Sequence, residues 1–540
     1  MVLGVLAVVV GCVQVDPGPN QNAHMARTTA LAHGTARIDP YHWWSRDVAY
    51  IDGHYYAAKA PGLAVFSVPW YFALDATGAL VHGPPPSVHW PEAETLRMPR
   101  TAPWEFALWG ATLPFFLLLL LVRWAADELA PGAGLATAVV LGAGSLVGVF
   151  GAIFFDHELS ALLGFGAFCL LLRRRSSLLA GVVAALAVMV EFPLALLVVI
   201  LCVYSPRRLR YCAGVALGAL PLLAYNTWSI GSPFSTAYSN AVVDPGRSGH
   251  DVIGANSTGF FGIEWFSPHA LVDLLLAPKG LLILTPVWAL AAVGVTRLPR
   301  REARVVTAVV AAFLVYDASY YLPFGGFNAG PRFLVPTLPF LALGLAAAWR
   351  TWPGPALALS LASIVVTTVS LLANPMLVSE DIGTMFHRLE RGGDHNGPVS
   401  STALHWLWSS DRGPLLLLGA VVLVVAVTAL VRPLPAREIA LGVAALVAWR
   451  ISYVGGTLLD RLDHGWPGAA VLALALGVAL AALVRRRELV ALPILLVLPL
   501  VWPAFAAHTS LAVVTVSLSL LAMCAVALVR PAGAAPPAAR

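Results

Sequence analysis

Runs of mostly apolar residues recur along the chain, separated by short segments that carry arginine, and many approach the ~20 residues a helix needs to cross a bilayer's hydrocarbon. The pattern predicts membrane-spanning helices over 1–13, 106–123, 133–153, 157–172, 177–191, 193–205, 211–226, 281–297, 304–322, 333–349, 355–373, 413–431, 438–455, 467–484, 488–507 and 509–529. Short basic loops stay in the cytoplasm. The basic clusters Arg173 to Arg175, Arg207 to Arg210, Arg297 to Arg304, Arg350, Arg432 to Arg437, Arg485 to Arg487 and Arg530 onward fall in every second loop. That alternation requires the apolar stretch 177–205 to be two short helices, broken at Glu191-Phe192-Pro193, where proline interrupts the helical hydrogen bonds.

The segments left on the extracytoplasmic side are the long ones: 14–105, 227–280, 323–332, 374–412 and 456–466. Long connections in a compact protein are usually functional. The first is rich in His, Asp and Trp (Trp43, Trp44, Trp70, Trp90, Trp104), a composition suited to amphipathic segments at the headgroup level. The expected fold is an all-α polytopic membrane protein, a helical bundle with a long first extracytoplasmic loop carrying amphipathic helices. It divides into a module over 1–350 with outer loop 14–105, a second bundle over 351–530 with outer loop 374–412, and an Ala/Pro-rich disordered tail over 531–540.

Composition agrees with this pattern. Of 540 residues, 59% are hydrophobic and 11% charged, and the mean hydropathy is +0.79, so the bilayer must be the solvent. The net charge of +5 sits in loop arginines rather than along one helix face, which argues against a nucleic-acid partner. The five cysteines, Cys12, Cys169, Cys202, Cys212 and Cys524, lie inside or at the ends of apolar runs without metal-site spacing, so neither a disulfide nor a thiolate metal site is expected.

Ionisable residues carry information because burying one unpaired in hydrocarbon costs roughly 2.5–3.5 kcal/mol for a central charge. Here they gather at the predicted outer face: Asp39, Asp47, Asp52, His54 and Lys59 in the first loop, Asp156, His157 and Glu158 at the next outer turn, and Glu191 at the helix break. The only two lysines, Lys59 and Lys279, both fall outside, against the positive-inside bias, each beside Pro and Gly at the mouth of an apolar run. An ammonium there meets a lipid phosphate. Arg332, at the end of Gly325-Gly326-Phe327-Asn328-Ala329-Gly330-Pro331-Arg332, offers two-pronged phosphate recognition. Ordinary structural roles compete with these readings: Asp39 before Pro40 suits a turn, Asp52-Gly53 is a hairpin signal, Glu191 caps a helix break, and Lys279 suits interfacial snorkelling.

The stretch His33-Gly34, Ile38-Asp39, Asp47, then Asp52-Gly53-His54-Tyr55-Tyr56-Ala57-Ala58-Lys59-Ala60-Pro61-Gly62 resembles the first outer loop of the GT-C membrane glycosyltransferases. The pattern is most similar to bacterial members related to protein O-mannosyltransferases and lipid A aminoarabinose transferase. Phe154-Phe155-Asp156-His157-Glu158-Leu159 resembles their second outer acidic site, and Gly330-Pro331-Arg332-Phe333 resembles a later segment, so the likeness runs through most of the first 350 residues. The resemblance implies transfer of a sugar from a polyprenyl-phosphate carrier to a glycan, lipid or protein acceptor, at the extracytoplasmic face of a bacterial plasma membrane. It implies an outer-loop carboxylate as general base, with Lys or Arg holding the departing phosphate.

Two departures bear on the site. Asn20-Gln21-Asn22 stands where the family has its first acidic motif, which moves the expected base to Asp39 or Asp47, with Asp156 orienting the acceptor or base. Ala58 replaces an acidic residue before Lys59, which weakens a divalent metal site; His42, His54 and His157 keep metal as an open alternative, and no cofactor is assigned. The expected substrate-binding residues are Lys59, His54, Tyr55, His157, Glu158, Glu191, Lys279 and Arg332. The competing reading is a transporter or lipid-linked-sugar flippase, which predicts ionisable residues near the bilayer midplane and repeated broken helices.

Overall fold

The computed structural model describes residues 1–15, 17–45, 47–80, 101–240, 262–326, 328–376, 382–394, 397–404 and 412–453. The spans expected over 467–484, 488–507 and 509–529, the loop 456–466 and the tail 531–540 lie outside the described residues, as does Trp90.

Four of the described helices are long and apolar enough to cross a membrane: Trp104–Leu129, Arg332–Thr351, Pro353–Leu372 and Gly413–Leu430. Shorter apolar helices, among them Val2–Cys12, His157–Leu172, Ser177–Val190 and Phe192–Tyr204, pack into the same bundle, and the β-structure among the described residues is three two-stranded pairs. The chain is a multi-pass helical membrane protein. Pro353–Leu372 and Leu338–Thr351 lie at its centre, buried over almost their whole length, and the Thr367 hydroxyl ties the former to the Ala143 carbonyl.

Two spans expected as single helices are broken. The stretch 133–153 is Gly134–Ala143 followed by Leu146–Phe150; Ser145 stops the first helix by capping the second, its hydroxyl accepting the Val147 N–H at 3.1 Å. The stretch 281–297 breaks at Thr285-Pro286, and Pro268–Leu284 meets Val287–Arg297 at 96°. Proline disfavours helical geometry in the residue before it, and Thr285 sits at φ −137°, ψ 70°. The break expected at Glu191-Phe192-Pro193 is present: Ser177–Val190 ends, Glu191 is extended, and the chain restarts at Phe192–Leu194.

The first loop folds as helix Pro19–Ala32, a 3₁₀ turn over Asp39–Trp44, an antiparallel hairpin of Val48–Ile51 with His54–Ala57, and helix Gly62–Ala76. Asp52 and Gly53 make the two-residue hairpin turn with φ of 49° and 85°, the left-handed pair that matches strand twist. Trp104 and Trp70 pin this loop to its surroundings by donating to the Gly11 carbonyl at 2.6 Å and the Glu105 carbonyl at 2.9 Å.

A cavity between the first loop and two helix breaks

Helix Pro19–Ala32 starts at Gly18, whose N–H donates to Gln21 Oε1 at 2.9 Å, with proline in the first turn. Its polar side chains are nonetheless buried: Asn20, Gln21, His24, Arg27 and Thr28. Arg27 donates through both terminal nitrogens to the carbonyls of Ala57 and Lys59, which fixes the end of the hairpin. From that anchored backbone the Lys59 ammonium reaches Asp47, Nζ to Oδ2 2.8 Å, with both side chains almost buried. Removing one partner of such a pair costs roughly 3–5 kcal/mol, because the other charge is stranded. Gly62 then lets helix Gly62–Ala76 pass against the end of Ser177–Val190; a methyl group on Gly62 would lie 2.7 Å from the Met189 carbonyl oxygen. That close approach draws the lysine segment toward Glu191.

Asp156 stands at the start of helix His157–Leu172 without a side-chain capping bond to it, and Glu191 occupies the break after Val190. His157 joins them: its Nδ1 lies 3.2 Å from Glu191 Oε1 and 3.7 Å from Asp156 Oδ1, while the Ser160 hydroxyl donates to Glu191 Oε2 at 2.6 Å. Burial pushes the Asp156 carboxyl above the ordinary carboxylate range; His157, Lys59 and Arg332 oppose the rise and Glu191 adds to it. A carboxyl tuned upward is a better proton acceptor than an exposed one.

Arg332 is delivered by the loop before it. Asn328 shapes that loop, donating to the carbonyls of Phe324 at 2.8 Å and Gly326 at 3.0 Å and accepting the Gly330 N–H at 3.0 Å. Gly325, at φ 77°, faces the arginine so closely that a β-carbon there would sit 2.4 Å from Arg332 Nε. The guanidinium lies 5.1 Å from the Phe155 ring centroid and 5.0 Å from that of Phe333.

These elements enclose one cavity of about 470 Å³. Its polar lining is Asn20, Lys59, Asp156, His157, Glu191 and Arg332; Val188, Phe192, Pro193, Ala195 and Leu196 form an apolar wall along the helix break; Tyr238, Tyr316 and Tyr320 form an aromatic side. Tyr238 and Tyr320 are hydrogen-bonded through their hydroxyls, and Lys59 lies 6.0 Å from the Tyr238 ring centroid.

Of the residues singled out from sequence, the cavity brings together Lys59, Asp156, His157, Glu191 and Arg332, with Asp47 behind the lysine. The others lie elsewhere. Asp39 accepts His54 Nδ1 at 2.9 Å and the Tyr55 N–H at 2.7 Å, locking the 3₁₀ turn onto the hairpin. Tyr55 stacks on His42 with ring centroids 4.3 Å apart. Glu158 is fully buried in its helix, and Lys279 lies 5.0 Å from the Phe324 ring, beside the loop that carries Arg332. Sequence reasoning noted Asn20 only as a departure from an acidic motif, without a site role, and missed His24, Arg27, Tyr238 and Tyr320. The usable signal was the polar spacing Asn20, His24, Arg27, Thr28, one face of a helix.

Asp156, His157 and Glu191 each offer a ligand atom within 4.8 Å of the others, a spacing that a divalent ion bridges. Two features set them apart from a built metal centre: His157 and Glu191 already lie within hydrogen-bond distance, and Lys59 and Arg332 bring positive charge to the same cavity. The trio reads as a hydrogen-bonded acid cluster facing two cations.

Buried polar atoms without partners concentrate on helix Pro19–Ala32: Asn20 Oδ1, Gln21 Nε2, Asn22 Oδ1 and both ring nitrogens of His24. Each such group costs about 1–3 kcal/mol. His24 lies against the acid cluster, Nε2 3.9 Å from Asp156 Oδ2. Burial, reinforced by Arg27 and Lys59, holds its imidazole well below the usual pKa and so neutral, against the pull of Asp47.

The cavity thus combines carboxylates, two cations and an apolar wall, an arrangement able to hold an anion beside an apolar chain. No protein-family model matches the chain, and no curated protein matches it. Among solved structures it is similar to the crystal structure of ArnT from Cupriavidus metallidurans in the apo state, with 15% identity over 89% of this chain and 74% of that chain and a TM-score of 0.42.

Proposed function

We propose that the protein is a glycosyltransferase that moves a sugar from a polyprenyl-phosphate carrier to an acceptor on the extracytoplasmic side of a bacterial plasma membrane. The observation that carries this reading is the convergence of Lys59, Arg332, Asp156 and Glu191 in one cavity that also has an apolar lining along the helix break. The carrier chain lies along Val188, Phe192, Pro193, Ala195 and Leu196, and its phosphate meets the Lys59 ammonium and the Arg332 guanidinium. Asp47, 2.8 Å from the ammonium, aims Lys59.

The acceptor hydroxyl attacks the anomeric carbon, its proton passes to the Asp156 carboxylate, and the bond from anomeric carbon to phosphate oxygen breaks. The polyprenyl phosphate leaves with the bonding pair, its charge held by the two cations. His157 and Glu191 orient Asp156. This assigns the base to Asp156 rather than to Asp39 or Asp47, since Asp39 serves the hairpin and Asp47 serves the lysine. Binding of a polyprenyl phosphate to the purified chain tests the phosphate half of this reading: a Lys59→Met/Arg332→Gln variant should lose the affinity, and unchanged affinity would refute that assignment.

A further inference from the structure

Asn20 is a cavity-lining residue whose chemistry the transfer reaction leaves unused. It is 7% exposed, it lines the cavity beside Lys59 and Asp156, and its Oδ1 has no partner among the described residues. His24, one turn on, is 0% exposed with neither ring nitrogen bonded, so the same helix face carries a second orphan toward Asp156. Folded proteins pair nearly all such atoms, so an exception lining a cavity calls for a partner from within the cavity, a bound ligand or an ordered water.

The ligand's chemistry follows from the donors and acceptors. A carboxamide oxygen accepts a hydrogen bond and carries no charge, so it does not select the phosphate that Lys59 and Arg332 already suit. It pairs with a neutral O–H. In a lipid-linked sugar the hydroxyls sit one ring away from the phosphate, and Asn20 lines the same cavity as Lys59. Resting on the transferase reading, we propose that Asn20 reads a ring hydroxyl of the donor sugar and sets which sugar the enzyme accepts.

The test compares two probes on the full-length protein in detergent: undecaprenyl phosphate, and undecaprenyl phosphate carrying a hexose. Asn20→Ala should weaken the hexose-bearing lipid about tenfold or more, the loss of one satisfied polar contact, and leave the bare carrier unchanged. Asn20→Ser, which keeps a smaller hydroxyl partner, should fall between and serves if the alanine variant folds poorly. A series of monodeoxy hexosyl lipids adds the position: one deoxy sugar should bind wild type about tenfold more weakly and Asn20→Ala no more weakly than the parent sugar does. Equal losses on both probes, or no loss on either, would overturn the role of Asn20 while leaving the transferase reading intact. Wild type that binds neither probe would remove the transferase reading and this inference together.

Discussion

Two regions of the molecule, the hairpin of the first loop and the turn before helix His157–Leu172, treat their aspartates in opposite ways. In the hairpin region Asp39 is a satisfied residue: its side chain is 39% exposed and its oxygens accept a histidine and a backbone N–H. Around the cavity Asp156 is buried, raised in pKa, and flanked by polar atoms that lack partners, those of Asn20 and His24. In the proposed reading the contrast separates a carboxylate that holds a fold from one that does chemistry. A polar group whose bonds are all made within the protein contributes stability, whereas one left wanting inside a cavity costs stability and is retained for a ligand.

The largest expected effect that sharpens this contrast is on Asp156. Asp156→Asn should lower transfer by roughly 10²–10⁴, the contribution of a positioned base. It should not weaken the fold at neutral pH. A carboxyl whose folded pKa is raised favours the folded state below its unfolded pKa and loses that contribution as pH rises through the folded value. The asparagine variant should therefore lack the part of the wild-type stability loss that this group causes as pH rises above the ordinary carboxylate range, measured by thermal unfolding in detergent.

Next in size is the buried pair. Lys59→Ala strands Asp47 and should cost roughly 3–5 kcal/mol of stability. Lys59→Met with Asp47→Asn should restore most of it while carrier binding stays lost, since the ammonium is gone in both. Smaller is Asp39→Ala, which gives up two partly exposed hydrogen bonds and should cost about 1–2 kcal/mol with transfer per folded molecule within about twofold. A loss of transfer as large as that of Asp156→Asn would erase the contrast. Smallest is Asp52→Asn at the exposed turn, within about 0.5 kcal/mol, because asparagine accepts the same left-handed conformation.

The helical plan was legible because hydropathy and arginine placement are properties of single segments. The break at Glu191 could be read because proline announces it and the basic clusters on either side demand it. The break at Ser145 was hidden inside an apolar run that continues on both sides, its signal a single capping hydroxyl. At the site, charge was legible and convergence was not: Lys59, Asp156, Glu191 and Arg332 stand out as ionisable groups beside apolar runs, but which of them share a cavity depends on contacts far apart in sequence. His24 escaped because an uncharged polar residue in an outer loop draws no notice until burial leaves it without partners, and Asn20 stood out from sequence only as part of a departure from an acidic motif.

The most direct measurement follows a labelled sugar from a polyprenyl-phosphate carrier into water-soluble, lipid or protein acceptors in proteoliposomes holding wild type or Asp156→Asn. Carrier-dependent transfer by wild type, reduced about a hundredfold or more in a variant that still folds and binds the carrier, is expected if Asp156 takes the acceptor proton. Transfer by Asp156→Asn at the wild-type rate would contradict it.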